Sequence, residues 1–102
     1  MTNGPRDWPF DDARSTCVFT SKSVARGETW IQFVSHDAED GAWQFHPPGD
    51  QTPEESATVV SLQTIFRLDP SIAELADLPA GWWAERAAKD APWVRHKETP
   101  AG

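Results

Sequence analysis

The strongest constraint on this chain lies in residues 61–95, which hold three of its six Trp and its longest apolar periodicity. Asp69 followed by Pro70 predicts the start of a helix. An Asp side chain accepts backbone N–H bonds at an N-cap, and Pro is tolerated at the first helical position. An apolar stripe beginning at Ile72 is typical of a short helix, and residues 78–81 (LPAG) predict the turn that ends it.

Trp82 and Trp83 follow that turn in a segment, residues 82–89, whose pattern fits either a helix or a strand. We predict a final strand that returns to the sheet. Adjacent side chains of a strand point to opposite faces, so the two indoles cannot both reach the core. One of them is therefore a candidate for a surface that binds a partner, since Trp carries much of the binding energy at protein interfaces.

Three earlier segments alternate apolar and polar residues as strands do. Gly27 predicts a turn after the first of them, and Asp40 with Gly41 predicts a tight turn after the second. This order favours a three-stranded antiparallel meander, followed at residues 58–62 by a fourth strand or by a helix entry with Ser61 as its N-cap. The three segments are residues 15–24, 28–35 and 42–46.

Together these elements predict an α+β fold, with an antiparallel sheet of about four strands and one or two short helices on one face. The length of 102 residues corresponds to a single domain. We expect residues 1–14 to form an irregular lead-in whose aromatic side chains dock on the fold. Residues 15–95 should form the folded core and residues 96–102 a flexible tail. Three Pro in residues 47–56 predict an irregular loop.

The charge of the chain bears on its partners. Sixteen acidic and nine basic residues give a formal net charge of -7. Nucleic acid and anionic membranes both attract cationic surfaces, so neither is expected as a partner, whereas a basic protein is favoured. No apolar run reaches the roughly 18–20 residues of a membrane span, and the first residues lack the order of a signal peptide. A cytoplasmic location is therefore expected.

No pattern in the sequence indicates catalysis or a bound ion. The three His are scattered and lack the spacing of a zinc site. Cys17 is the only Cys, so it forms no disulfide within the chain, and we expect it to be a small buried residue rather than a nucleophile. We expect no catalytic residue, no cofactor and no metal. The candidate partner-binding residues are Trp82, Trp83, Asp37, Glu39 and Asp40.

Four short motifs are similar to those of one bacterial family. They are residues 17–22 (CVFTSK), 41–45 (GAWQF), 68–72 (LDPSI) and 78–82 (LPAGW). Over residues 16–86 the chain resembles small proteins of unknown function that are also catalogued as immunity-protein-33-like, the predicted immunity proteins of polymorphic toxin systems. The resemblance implies an α+β fold and neutralisation of a toxin by direct binding. It assigns no catalytic residue to this chain.

The sequence thus favours a non-catalytic cytoplasmic binding protein of unknown specificity. The resemblance implies that this protein could act as an immunity protein. Two other functions stay open. One is a small-ligand or enzymatic module in which the 47–56 loop closes as a lid over a pocket lined by Trp43 and His46. The other is a homo-oligomeric accessory module, for which an exposed edge strand or a Trp patch would provide the interface.

Overall fold

The computed structural model describes residues 8–49 and 57–97. Within this part of the chain, six strands form one sheet and three short helical segments accompany it. The elements are β1 (Cys17–Ser21), α1 (Lys22–Ala25), β2 (Phe33–His36), β3 (Trp43–His46), β4 (Ala57–Ser61), α2 (Leu62–Leu68), a 3₁₀ helix (Pro70–Leu75), β5 (Trp82–Glu85) and β6 (Val94–Lys97). The strands lie side by side in the order β4-β1-β3-β2-β5-β6.

The predicted antiparallel meander is wrong for β1. This strand lies between β4 and β3 and runs parallel to β3, with Phe19 opposite Gln44. The other four strand pairs are antiparallel. Parallel neighbours cannot be joined by a tight hairpin, so the chain must leave the sheet after β1. It does so in α1, where the Ser21 hydroxyl caps the helix by accepting from the Val24 N–H at 3.1 Å.

Several predicted boundaries also change. The first strand ends at Ser21 because α1 begins at the next residue, and the second strand begins only at Phe33. The sheet has six strands rather than about four, because β4 pairs with β1 and β6 pairs with β5. Residues 96 and 97, expected in a flexible tail, belong to β6. The α+β class with helices beside a largely antiparallel sheet agrees with the prediction.

The predicted helix starts are confirmed by their capping bonds. The Ser61 hydroxyl accepts from the Thr64 N–H at 3.1 Å, so β4 passes directly into α2. The Asp69 carboxylate accepts from the Ser71 N–H at 3.1 Å, and Pro70 is the first residue of the 3₁₀ helix. Each cap satisfies a backbone donor that the first turn of a helix leaves without a partner.

One face of the sheet carries the core. Phe10 from the lead-in joins it by packing edge-on against Trp43, with ring centroids 5.7 Å apart, and Trp8 packs on its border. The helical segments contribute their buried apolar side chains to the same cluster, so they cover this face. The main members are Val18, Val34, Trp43, Phe45 and Ala84 from the strands and Leu62, Ile65, Ile72 and Leu75 from the helices.

A buried arginine connects this core to the end of the sheet. Arg86 follows β5, and its side chain is only 1% exposed. Its guanidinium donates to the carboxylate of Asp69 at 2.5 Å, to the hydroxyl of Ser71 at 2.9 Å and to the carbonyl of Ile31 at 2.9 Å. It also lies 4.2 Å from the ring centre of Trp93. A planar guanidinium suits this role because its donors are held in a fixed fork.

Candidate functional site

The opposite face of the sheet is not covered by the helical segments. Because side chains alternate along a strand, the residues between the core positions point to this side. We call it the open face, and within the described residues it comprises Cys17, Phe19, Phe33, Ser35, Gln44, His46, Ala57, Val59, Trp83, Glu85, Val94 and His96. Phe19, Val59 and Val94 are each about half exposed, at 48%, 51% and 51%. Phe19 and Val59 are paired across β1 and β4, whereas Val94 lies at the other edge of the sheet. Adjacent exposed apolar side chains such as Phe19 and Val59 are typical of a binding face.

A row of stacked rings runs across the open face. Phe33 and Trp83 lie on neighbouring strands with ring centroids 5.0 Å apart and planes inclined by 22°. Trp83 in turn stacks on His96 at 4.2 Å, and His46 meets the edge of Phe33 at 5.7 Å. These contacts hold the indole of Trp83 in one orientation. A side chain that is already ordered loses less conformational entropy when a partner binds.

The two terminal imidazoles of this row have polar partners. Nε2 of His96 lies 3.1 Å from a carboxylate oxygen of Glu85, its neighbour on β5. Nε2 of His46 lies 3.2 Å from the side-chain oxygen of Gln44 on the same strand. The aromatic row is therefore bordered at both ends by hydrogen-bonded polar groups. An apolar centre with a polar border is the common anatomy of protein interfaces.

An acidic turn, residues 37–42, joins β2 to β3 at one end of the sheet. Asp37 accepts from the Glu39 N–H at 2.9 Å, and Asp40 accepts from the Ala42 N–H at 3.0 Å. Gly41 lies in the predicted tight turn with a positive φ of 73°, and its N–H donates to the Asp37 carbonyl. Glu39 and Asp40 are exposed. Their negative charges consequently occupy a defined place beside the sheet rather than a loose loop.

Close backbone contacts bring this turn to the start of β5. The Gly81 N–H donates to the His36 carbonyl at 2.7 Å, and Nδ1 of His36 lies 2.8 Å from the Leu78 carbonyl oxygen. Gly81 has a φ of 89°, and a Cβ at this position would lie 3.4 Å from that of Ala38. Glycine is required here because other residues rarely adopt this conformation.

Two shallow grooves flank this junction and contain four of the five predicted partner-binding residues. One, of about 410 Å³, is lined in part by Asp37, Glu39 and Trp82. The other, of about 380 Å³, is lined in part by Asp37, Trp82 and Trp83. Asp40 lines neither groove but lies in the same turn. The five predicted residues therefore lie near one another at one end of the sheet.

The two adjacent indoles take opposite sides of β5, as expected for a strand. Trp83 stacks on the open face, whereas Trp82 packs against the border of the core. Sequence reasoning missed the partners of Trp83, which are Phe33 and His96. Phe33 belongs to the predicted strand 28–35, in which Ile31 and Phe33 fall on one face and Trp30 and Val34 on the other, so the pattern does not show which face is uncovered. His96 was assigned to the tail, and four residues (VRHK) give little signal for a strand.

Other sequence-based expectations for this region change in the structure. Cys17 is exposed, not buried, because Val18 and Thr20 are the residues of β1 that face the core. Trp43 and His46 cannot line one ligand pocket, since they are three residues apart on β3 and point to opposite faces. Residues 50–56, most of the proposed lid, lie outside the described residues.

Within residues 8–49 and 57–97, no group of three or more His, Cys, Asp or Glu is arranged to hold a metal ion. In the same ranges, no helix is both long enough and apolar enough to cross a bilayer.

Comparison with protein-family models, with curated proteins and with solved structures gives no match.

Proposed function

We propose that this protein is a non-catalytic binding module that holds a basic protein partner against the open face and the acidic turn. The observation that carries the proposal is the stacked, partly exposed indole of Trp83, which lines one groove together with Asp37 of the hydrogen-bonded acidic turn. Aromatic anchors of this kind slow dissociation, and complementary charge accelerates encounter. Neutralisation of a toxin, as the family resemblance implies, is one form of this activity.

The charge distribution supports a cationic partner. The chain carries a net charge of -7, and Asp37, Glu39 and Asp40 lie within four residues of one another. Glu85 adds a further carboxylate on the open face itself. Among the described residues assigned to that face, none is Lys or Arg. A partner with an apolar centre and a rim of Lys and Arg would match both parts of this surface.

The experiment begins with affinity capture from the source cells, followed by purification of the captured protein and calorimetry with defined variants. Trp83→Ala should weaken binding by about 30-fold or more, the range of an interface hot spot. Asp37→Asn, Glu39→Gln and Asp40→Asn together should slow association and reduce its salt dependence. The amides keep the acceptor oxygens of the turn while removing its charge.

A matched triple variant controls for the loss of three charges. Glu28, Glu74 and Asp90 are exposed and belong to neither the open face nor the acidic turn, so their amide variants should leave the affinity nearly unchanged. The proposal is wrong if the captured partner is acidic. It is also wrong if both triple variants weaken binding equally, or if Trp83→Ala binds as the unaltered protein does.

A further inference from the structure

The two edges of the sheet differ in a way that matters for association. β6 at one edge carries Arg95, His96 and Lys97, whereas β4 at the other edge has the sequence ATVVS without a charge. Edge strands expose unpaired backbone groups that can pair with another chain, and charged side chains are the usual protection. β6 is protected in this way, whereas the described residues of β4 are not.

The strand register identifies which backbone groups of β4 have no partner among residues 8–49 and 57–97. The Leu62 N–H donates to the Thr16 carbonyl at 2.8 Å, directly beyond the β1–β4 ladder. Antiparallel strands alternate between residues that bond to the neighbour and residues that do not. Val60 and Thr58 therefore bond to β1, and the N–H and C=O groups of Val59 point to the outer edge. Val59 is the central residue of the strand.

We propose that the protein self-associates through β4, with a second copy adding its own β4 in antiparallel orientation about a twofold axis at Val59. In this register the two Val59 residues exchange N–H···O=C bonds, and Ala57 lies opposite Ser61 of the second copy. An interface in which one patch meets itself is the usual form of a symmetric dimer. The two sheets then join into one of twelve strands.

The same register covers exposed apolar surface. Side chains of directly paired residues lie on the same face, so the half-exposed Val59 side chains meet on the joined open face. Phe19 is paired with Val59 on β1 and is 48% exposed, which places the two Phe19 rings next to this contact. The second copy thus provides partners both for free backbone groups and for exposed side chains.

The dimer should be weak and responsive to salt. A five-residue strand spans about 17 Å, so the contact falls among small interfaces, below about 1,200 Å². Each copy also carries a net charge of -7, and this repulsion is screened by added salt. We therefore expect association at high protein concentration that strengthens from low to high ionic strength.

The test is sedimentation equilibrium of the full chain from about 10 μM to 1 mM, a range suited to interfaces of this size. Val59→Lys should raise the dissociation constant at least about 100-fold, because two like charges would face each other across the twofold axis. Val94→Lys is the matched control. It makes the same change on the same face at the same 51% exposure, but on the opposite edge of the sheet. The dissociation constant of the dimer should therefore stay within about threefold of that of the unaltered protein.

Hydrogen exchange of the unaltered protein tests the register without a substitution. Protection of the Val59 amide should rise with protein concentration, while protection of the β6 amides should not. A protein that stays monomeric at 1 mM and high salt would overturn the proposal. So would a dimer that survives Val59→Lys but is lost in Val94→Lys. The proposal does not depend on binding to a basic partner.

Discussion

Replacing the buried Arg86 with Met tests how the end of the sheet is held to the core. Met retains much of the aliphatic volume but removes the charge and all donors of the guanidinium. The carboxylate of Asp69, whose side chain is only 16% exposed, would lose its cation. The carbonyl of Ile31 and the hydroxyl of Ser71 would each lose a donor, and the contact with the Trp93 ring would disappear.

The expected cost follows from these losses. Breaking a buried ion pair by removing one partner typically costs about 3–5 kcal/mol. Because Asp69 keeps some contact with solvent, we expect the lower end, about 3 kcal/mol. At about 4–8 °C per kcal/mol for a domain of this size, the midpoint of thermal unfolding should fall by about 12–24 °C. Calorimetry or circular dichroism measures this change directly.

The chain contains its own control for this substitution. Arg95 pairs with Asp77 at 2.5 Å, but its side chain is 33% exposed and that of Asp77 is 82% exposed. Exposed pairs contribute little to stability, so Arg95→Met should barely change the midpoint. Adding Asp69→Asn to Arg86→Met should recover part of the loss, because no unpaired carboxylate then remains. Equal destabilisation by Arg86→Met and Arg95→Met would refute the reasoning.

Three further changes have defined outcomes. Gly81→Ala should destabilise the protein by about 1–2 kcal/mol in a denaturant titration, and Gly41→Ala by a similar amount, since both residues have positive φ and a Cβ at either position meets no more than ordinary van der Waals contact. Ser61→Ala should cost about 1 kcal/mol by the same measurement through loss of the helix cap, and a neutral result would show that the cap is dispensable. Hydrogen bonding and charge attraction from Arg95 lower the pKa of Asp77 below its ordinary value. The pair therefore stabilises the fold above the ordinary carboxyl pKa, and this effect disappears as the pH falls through the lowered value. Arg95→Met should return that pKa to the ordinary range in an NMR titration, and an unchanged pKa would contradict the assigned cause.

Local features of this fold could be predicted because their physical causes are local. Ser61 and Asp69 were recognised as caps because each acts on a residue two or three positions away. Gly41 was recognised because a turn of this type needs positive φ. The opposite orientations of Trp82 and Trp83 follow from the alternation of side chains along a strand once the segment is assigned as one.

The features that escaped prediction depend on contacts between distant residues. Arg86 looked like an ordinary charged residue, because its main partner Asp69 lies 17 positions away along the chain. The ring row on the open face combines rings from four strands, and it exists only in the observed strand order. Its members are His46, Phe33, Trp83 and His96. No periodicity within a single segment encodes that order. This is why the acidic turn was predicted but the aromatic row beside it was not.

The position of β1 has a consequence for how the chain is made. This first strand is completed on both sides only by strands that follow it, since β3 and β4 begin at Trp43 and Ala57. A growing chain that has not yet reached residue 57 leaves one side of Cys17–Ser21 unpaired, so β1 cannot be completed before β4 has been made. Such long-range closure is slow compared with helix formation. Truncation before β4 should therefore remove cooperative folding rather than produce a smaller stable sheet.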